Sequence, residues 1–332
     1  MLKILSFLFG IIIAISSIII LFSAANSPTI SSIYAQDTQY YYNTNENNNS
    51  SLLNELENIK NILESKVTKL ATALQIVSSL PQILQTPDIN LIDSKINGIP
   101  EDVDIEKRKI AKILLEQFNE FSSVVFLLNN GDVYFDEPFE RQLNRTATNL
   151  SFRDYYQAVE QTKKTYLSDA IISKATGRNL AVIATPVIKE NDIIGLLLGT
   201  INFNNYDKFL QTLKLQNNTR LVITDKNGVK IGDSKENGTS ISKESFEKKE
   251  QFSNLTSVKF ALEGKSGSIL EKFDGKESQI TFLPYDIFQN KRILLLIQSC
   301  NSDGNESNKC IDNNKEINLF NENVLTKLGS FF

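Results

Sequence analysis

The chain has 332 residues, 41% of them hydrophobic, enough to bury one large core or two ordinary ones. Its net charge of −4 gives no reason to expect nucleic acid as a partner, and the complete absence of His removes the commonest general base and metal ligand. Ser-His-Asp, Cys-His and HExxH chemistries are thereby excluded, no Walker-type loop, GxGxxG or GxSxG appears, and no cofactor is implied; only carboxylate- or Lys-based catalysis stays open.

Residues 1–25, MLKILSFLFGIIIAISSIIILFSAA, place one Lys before an uncharged apolar run. As a helix, roughly 22 such residues reach about 33 Å, enough to cross a bilayer. The run reads either as an uncleaved anchor or as a signal peptide, with small residues at Ala24, Ala25 and Ala35 offering cleavage sites. Because the next basic residue after Lys3 is Lys60, the positive-inside rule keeps the N-terminus in the cytoplasm and sends the rest out. Asn-x-Ser/Thr triplets, such as those at Asn144, Asn149 and Asn237, agree with export, though an Asn-rich chain also makes them by chance.

Residues 26–50 form a polar spacer rich in Asn and Tyr. From Ser51, apolar residues at Leu52, Leu53, Leu56, Ile59, Ile62, Leu63, Val67, Leu70, Leu74 and Val77 recur at three- and four-residue steps, predicting a long helix that Pro81 ends. Ile105 to Phe121 reads as a second amphipathic helix, and Val124 to Leu128 with Val133 to Phe135 as a hairpin around an Asn-Asn-Gly-Asp turn. Asn149 to Phe203 then holds a helix start capped by Asn149 or Ser151, with Asp154 completing a loose capping box. Strands follow at Thr165–Ile172, Asn179–Ile188 and Ile193–Phe203, an antiparallel meander with a helix on one face. Tyr206 to Leu215 is a connecting helix. A second hairpin at 219–231, then three more strands before residue 299, make a weak internal repeat of the pattern hairpin, helix, three strands. Beyond it, 299–332 is a polar tail with an amphipathic end at Leu319 to Leu328. Cys300 and Cys310 are the two cysteines; an even count in an exported chain favours a disulfide over two free thiols.

Several motifs in order, FRDYY at a helix start, the turn YLSDAIISKATGRN and the hairpin VIATPVIKENDIIGLLLGTINF, resemble the ligand-binding module of double-Cache (dCache) extracytoplasmic sensors. GKSGS, FDGKES and FLPYD resemble that family's membrane-proximal module. The resemblance implies an α+β fold: two tandem PAS-like Cache modules, antiparallel sheets with helices, on a long N-terminal helix. Residues 51–215 would be the helix and the membrane-distal module, and 216–298 the membrane-proximal one. It also implies small-molecule sensing in signal transduction. No second long apolar run leads to an output domain, so three readings stay open: action through a membrane signalling partner, delivery of a ligand, or a truncated relative whose signalling role is gone; the long helix leaves a homodimer open.

By the same resemblance the ligand site comprises Arg153, Tyr155 and Tyr156, with Asp169 in the Ser-Asp turn. The amino-acid-binding branch has Trp at the first aromatic, and a Tyr and two Asp facing the ligand's ammonium; those three positions fall here on Ile171, Ser173 and Thr200. The carboxylate-recognising half is present and the ammonium-recognising half is missing, which implies a small anionic, organic-acid-like ligand held by Arg153, Tyr155, Tyr156, Asp169, Ser173 and Thr200. Plainer readings stand beside this one. Arg153 equally suits a surface pair with Asp154 or Asp169, the two tyrosines suit ordinary core packing, and Asp169 suits a turn. A surface or adhesive scaffold, and below it a carboxylate-based hydrolase, compete with the sensor.

Overall fold

The computed structural model describes residues 48–173, 179–215, 219–235, 252–300 and 318–320. The N-terminal apolar run, the polar spacer up to residue 47 and Cys310 lie outside these residues. Helix α1 covers Asn48–Ser78. At 1.5 Å per residue this is about 46 Å. Leu52, Leu56, Ile59, Leu63, Val67, Leu70, Leu74 and Val77 are all buried along it, whereas two residues expected in the same stripe depart from it: Leu53 is half-buried and Ile62 is exposed. The hydroxyls of Ser78 and Ser79 donate to the carbonyls of Gln75 and Ile76, so free C-terminal carbonyls are met before Pro81.

Helix α2 (Ile105–Gln117) packs on the hairpin of β1 (Phe121–Leu128) and β2 (Val133–Glu137). After α3 (Phe139–Leu143) and α4 (Asp154–Thr162) come the short strands β3 (Tyr166–Leu167) and β4 (Ile171–Ile172). The long strands β5 (Asn179–Lys189) and β6 (Asp192–Asn202) follow, joined by a turn in which Glu190 and Asn191 both take positive φ. The sheet order is β2-β1-β6-β5-β3, with β4 also on β5 and every pair antiparallel. Helix α5 (Phe203–Thr212) leads to the second sheet.

There β7 (Thr219–Asp225) and β8 (Lys230–Asp233) form a hairpin, α6 (Thr256–Leu262) follows, then β9 (Ser266–Phe273), β10 (Lys276–Ile287) and β11 (Asn290–Ser299). The order β9-β10-β11-β7-β8 repeats the topology of the first sheet. The repeat extends to a detail. Gly131 and Gly228, at positive φ in the two hairpin turns, come so close to Ser151 and Ser253 that a Cβ would sit under 3 Å from the serine backbone. The segment read as a tail contributes β12 (Asn318–Phe320), a three-residue strand on β9.

The predicted strand Thr165–Ile172 is two short strands instead. Ser168 takes over at the break: its amide donates to Val182 O and its hydroxyl accepts the Val182 amide. Residues 167–170 are then committed to the second sheet. Leu167 N donates to Phe288 O, Asn290 Nδ2 to Leu167 O and Asp169 Oδ1, and Ala170 N to Asp225 Oδ2. The predicted cap of α4 also differs. The Asn149 side chain accepts from both the amide and the hydroxyl of Ser151, so the helix starts later and Arg153 occupies the N-cap position with extended φ/ψ.

Candidate functional site

The face of the first sheet turned towards α4 carries Val125, Val182, Leu198 and Thr200, set side by side by the pairings of Val125 with Leu198 and of Val182 with Thr200. These residues, with Leu150 and Leu180, form the apolar wall of a small cavity of about 30 Å³. That is space for roughly two waters. Arg153, Tyr155, Ile171, Ser173 and Thr200 line it too, so four of the six expected ligand residues meet at one place.

The other two lie elsewhere. Tyr156 sends its hydroxyl to Asn129 O, and Asp169 accepts from Asn290 Nδ2 (2.7 Å) and Asn227 Nδ2 (3.1 Å) and pairs with Lys226 at 3.2 Å. Helical geometry explains the first: neighbours on a helix point about 100° apart, so Tyr155 faces the cavity and Tyr156 cannot. Asp169 belongs to the junction with the second sheet.

Sequence reasoning missed two members, Arg141 and Arg145, which line the same cavity. They follow β2, whose alternation sends adjacent acids opposite ways. Glu137 meets Arg108 at 2.6 Å in a buried network with Gln142 and the Ile99 carbonyl. Asp136 instead meets Arg145 at 2.7 Å and Arg141 at 3.6 Å. Burial pushes the Asp136 carboxyl up from the ordinary carboxylate range, against the pull of the two guanidiniums. The only hint in the sequence was a pair of arginines four apart, a spacing too common to single out.

Chemically the cavity is a cation-rich cleft with hydroxyls. Burial raises the Tyr155 phenol to about 12, so it stays a neutral donor at physiological pH. Thr200 Oγ1 is bonded to the hydroxyls of Ser123 (2.6 Å) and Ser122 (2.9 Å), which fixes its position. Arg153 stacks over the exposed Phe152 ring, 5.0 Å from its centroid. A second, open groove of about 480 Å³ lies between α1 and the β10–β11 turn, lined by Gln75, Lys163, Lys164, Thr185 and Gln289 among others. Among the described residues no cluster of three or more potential metal ligands occurs, and no helix is long and apolar enough to cross a membrane.

No curated protein matches the chain. Among solved structures it is similar to the ligand-binding domain of the Pseudomonas fluorescens chemoreceptor CtaA in complex with L-isoleucine, at 14% identity and a TM-score of 0.51, covering 75% of this chain and 91% of that one. It is similar also to methyl-accepting chemotaxis protein X (14% identity, TM-score 0.55, 75% of this chain and 97% of that one). An extracellular ligand binding receptor from Desulfohalobium retbaense matches at 12% identity and a TM-score of 0.52; the match covers 72% of this chain but only 38% of that longer one. These likenesses establish a shared fold. A family model described as "Cache domain" matches residues 12–298, through α1 and both sheets, and the chain therefore belongs to the Cache-domain family.

Proposed function

We propose that this protein senses a small organic acid outside the cytoplasm, bound in the first module between Arg153 and the β4–β6 wall. One observation carries the reading: a guanidinium, a buried phenol and two hydroxyl-bearing side chains, Ser173 and Thr200, converge on a single cavity beneath α4. A guanidinium offers a planar fork for two carboxylate oxygens, and the N-cap position places it beside the free amides of the first helical turn. Apolar neighbours such as Val182 and Leu198 suit the tail of the acid.

The relative solved with L-isoleucine holds an α-amino acid. Here Ile171, Ser173 and Thr200 line the cavity together with Arg153, and among the described residues no carboxylate lines it. An α-ammonium group there would be desolvated without a counter-charge, a penalty of several kcal/mol. Calorimetric titration with matched pairs, a short carboxylic acid and the α-amino acid of the same side chain, is the test. The acid should bind and the amino acid should bind about a hundredfold more weakly; an amino acid binding as tightly as its acid would refute the reading. A scaffold protein without a ligand would show no titration heat with any acid.

In this reading residues 4–25 hold the modules at the membrane, on the strength of their uninterrupted apolar run. N-terminal sequencing of the native protein should return the start of the chain; a mature start at Asn26 or Gln36 would mean a released protein.

A further inference from the structure

Among the Asn-x-Ser/Thr triplets, those at Asn144, Asn149 and Asn254 fall where the structure describes the side chains. The acceptor nitrogen separates the first two. A side-chain amide nitrogen carries two hydrogens, and joining it to a sugar replaces one of them. Asn149 uses both: its Nδ2 donates to Asn130 O (3.0 Å) and to Asp132 Oδ1 (2.8 Å). Its Oδ1 accepts from the amide and the hydroxyl of Ser151, at 3.0 and 2.6 Å. That half-buried side chain thus ties the β1–β2 turn to residue 151, where Gly131 lies too close to the Ser151 backbone for a Cβ. A sugar on Asn149 removes at least one of these bonds. Asn144 differs on each count. It is exposed just after α3, and among the described residues its Nδ2 makes one bond, to Glu140 O at 2.8 Å, so a second hydrogen is available for replacement. Leu143 beside it is 46% exposed, an apolar surface that a sugar would cover. Asn254, ahead of α6 in the second module, is exposed as well and is admitted with it.

We propose that Asn144 is an N-glycosylation site and that Asn149, in the next triplet along the chain, carries no sugar. This rests on the placement outside the cytoplasm argued above, since such triplets are acceptors on the surface of exported proteins. The co-reactant is a sugar activated as a lipid-linked phosphate ester. Asn144 Nδ2 forms a bond to the anomeric carbon and gives up one proton. The bond from that carbon to the phosphate oxygen breaks, and the phosphate leaves with the electron pair and takes the proton; nothing is oxidised or reduced. The choice holds whether transfer precedes folding or follows it. A chain with a sugar on Asn149 forfeits a bond that the turn uses, whereas one with a sugar on Asn144 keeps the hydrogen bond to Glu140 O.

The experiment is glycopeptide mass spectrometry on the protein purified from its own cells. Arg145 separates the two triplets, so trypsin places Asn144 on residues 142–145 and Asn149 on residues 146–153. Fragmentation that keeps the sugar on its side chain should assign it to Asn144, with Asn149 at its unmodified mass. Asn144→Gln, produced in the same cells, should lower the mass of the intact protein by one glycan. An unmodified Asn144, or a sugar on Asn149, overturns the proposal. Protease added to intact cells reads the placement separately. Modules digested from outside while Asn144 is unmodified refute the site and leave the extracytoplasmic reading standing; modules protected inside intact cells refute both.

Discussion

Replacing Arg153 with Ala should weaken binding of a short carboxylate by about 2–5 kcal/mol, roughly 30-fold to several thousand-fold, the usual cost of removing one partner of a desolvated charged contact. If Arg153 is a ligand contact rather than one half of a structural ion pair, stability should change little. To the start of α4 Arg153 contributes backbone bonds: its amide donates to Leu150 O and its carbonyl accepts the first helical bond from Gln157 N. Its side chain makes no cap bond, so Ala forfeits no capping oxygen at the helix end. Arg153→Lys keeps the charge but loses the fork, and should fall between the two. Titration of each variant alongside its thermal melt separates the alternatives. A large drop in melting temperature with unchanged carboxylate affinity would make Arg153 a structural residue.

The sequence made some elements plain and hid others, and the division follows the range of the forces involved. Helix α1 and both hairpins rest on local rules, an apolar period of three to four and an Asn-Gly or Asn-Asn-Gly turn, and they appear where those rules put them. The break between β3 and β4 is tertiary: Ser168 to Ala170 read as strand, yet their polar groups are claimed by Val182, Asp225 and Arg292 from elsewhere in the chain. Lys107 and Arg108 show the same limit. Hydropathy puts such side chains in solvent, but Asp104 and Glu137 pair with them and bury them. At the candidate site, the Arg153 and Tyr155 positions were legible because a motif marks them. Arg141 and Arg145 were not, because their significance depends on Asp136, which reaches them only through the fold.

Arg292→Ala should destabilise the protein by about 2–4 kcal/mol, through two lost charged hydrogen bonds, to the Ser168 and Lys291 carbonyls, a buried carbonyl left without its donor, and the space vacated by a large side chain. Arg292 is 2% exposed on β11, and its Nη2 donates to the carbonyl of Ser168, where the first sheet is interrupted. Around that bond the two modules are joined by further contacts: Gln289 Nε2 to Thr165 O, Leu167 N to Phe288 O, and Asn290 Nδ2 to both Leu167 O and Asp169 Oδ1. The junction also touches the cavity from two directions. Ile171 and Ser173 follow Ala170 directly in sequence, and Asp154, next to Arg153, accepts the amide of Asp169. A ligand that moves Arg153 or the 171–173 wall therefore pulls on the segment that the second module holds, which gives a physical route from binding to the rest of the chain. Hydrogen exchange with and without a bound acid reads both effects. In the wild type the ligand should slow exchange at the amides of Leu167, Asp169 and Ala170 and at the β10–β11 turn. In Arg292→Ala the baseline exchange at 167–170 should rise and the ligand's protection should stop short of residue 288. Equal melting temperatures and identical exchange patterns in the two proteins would show that Arg292 neither holds the junction nor relays across it.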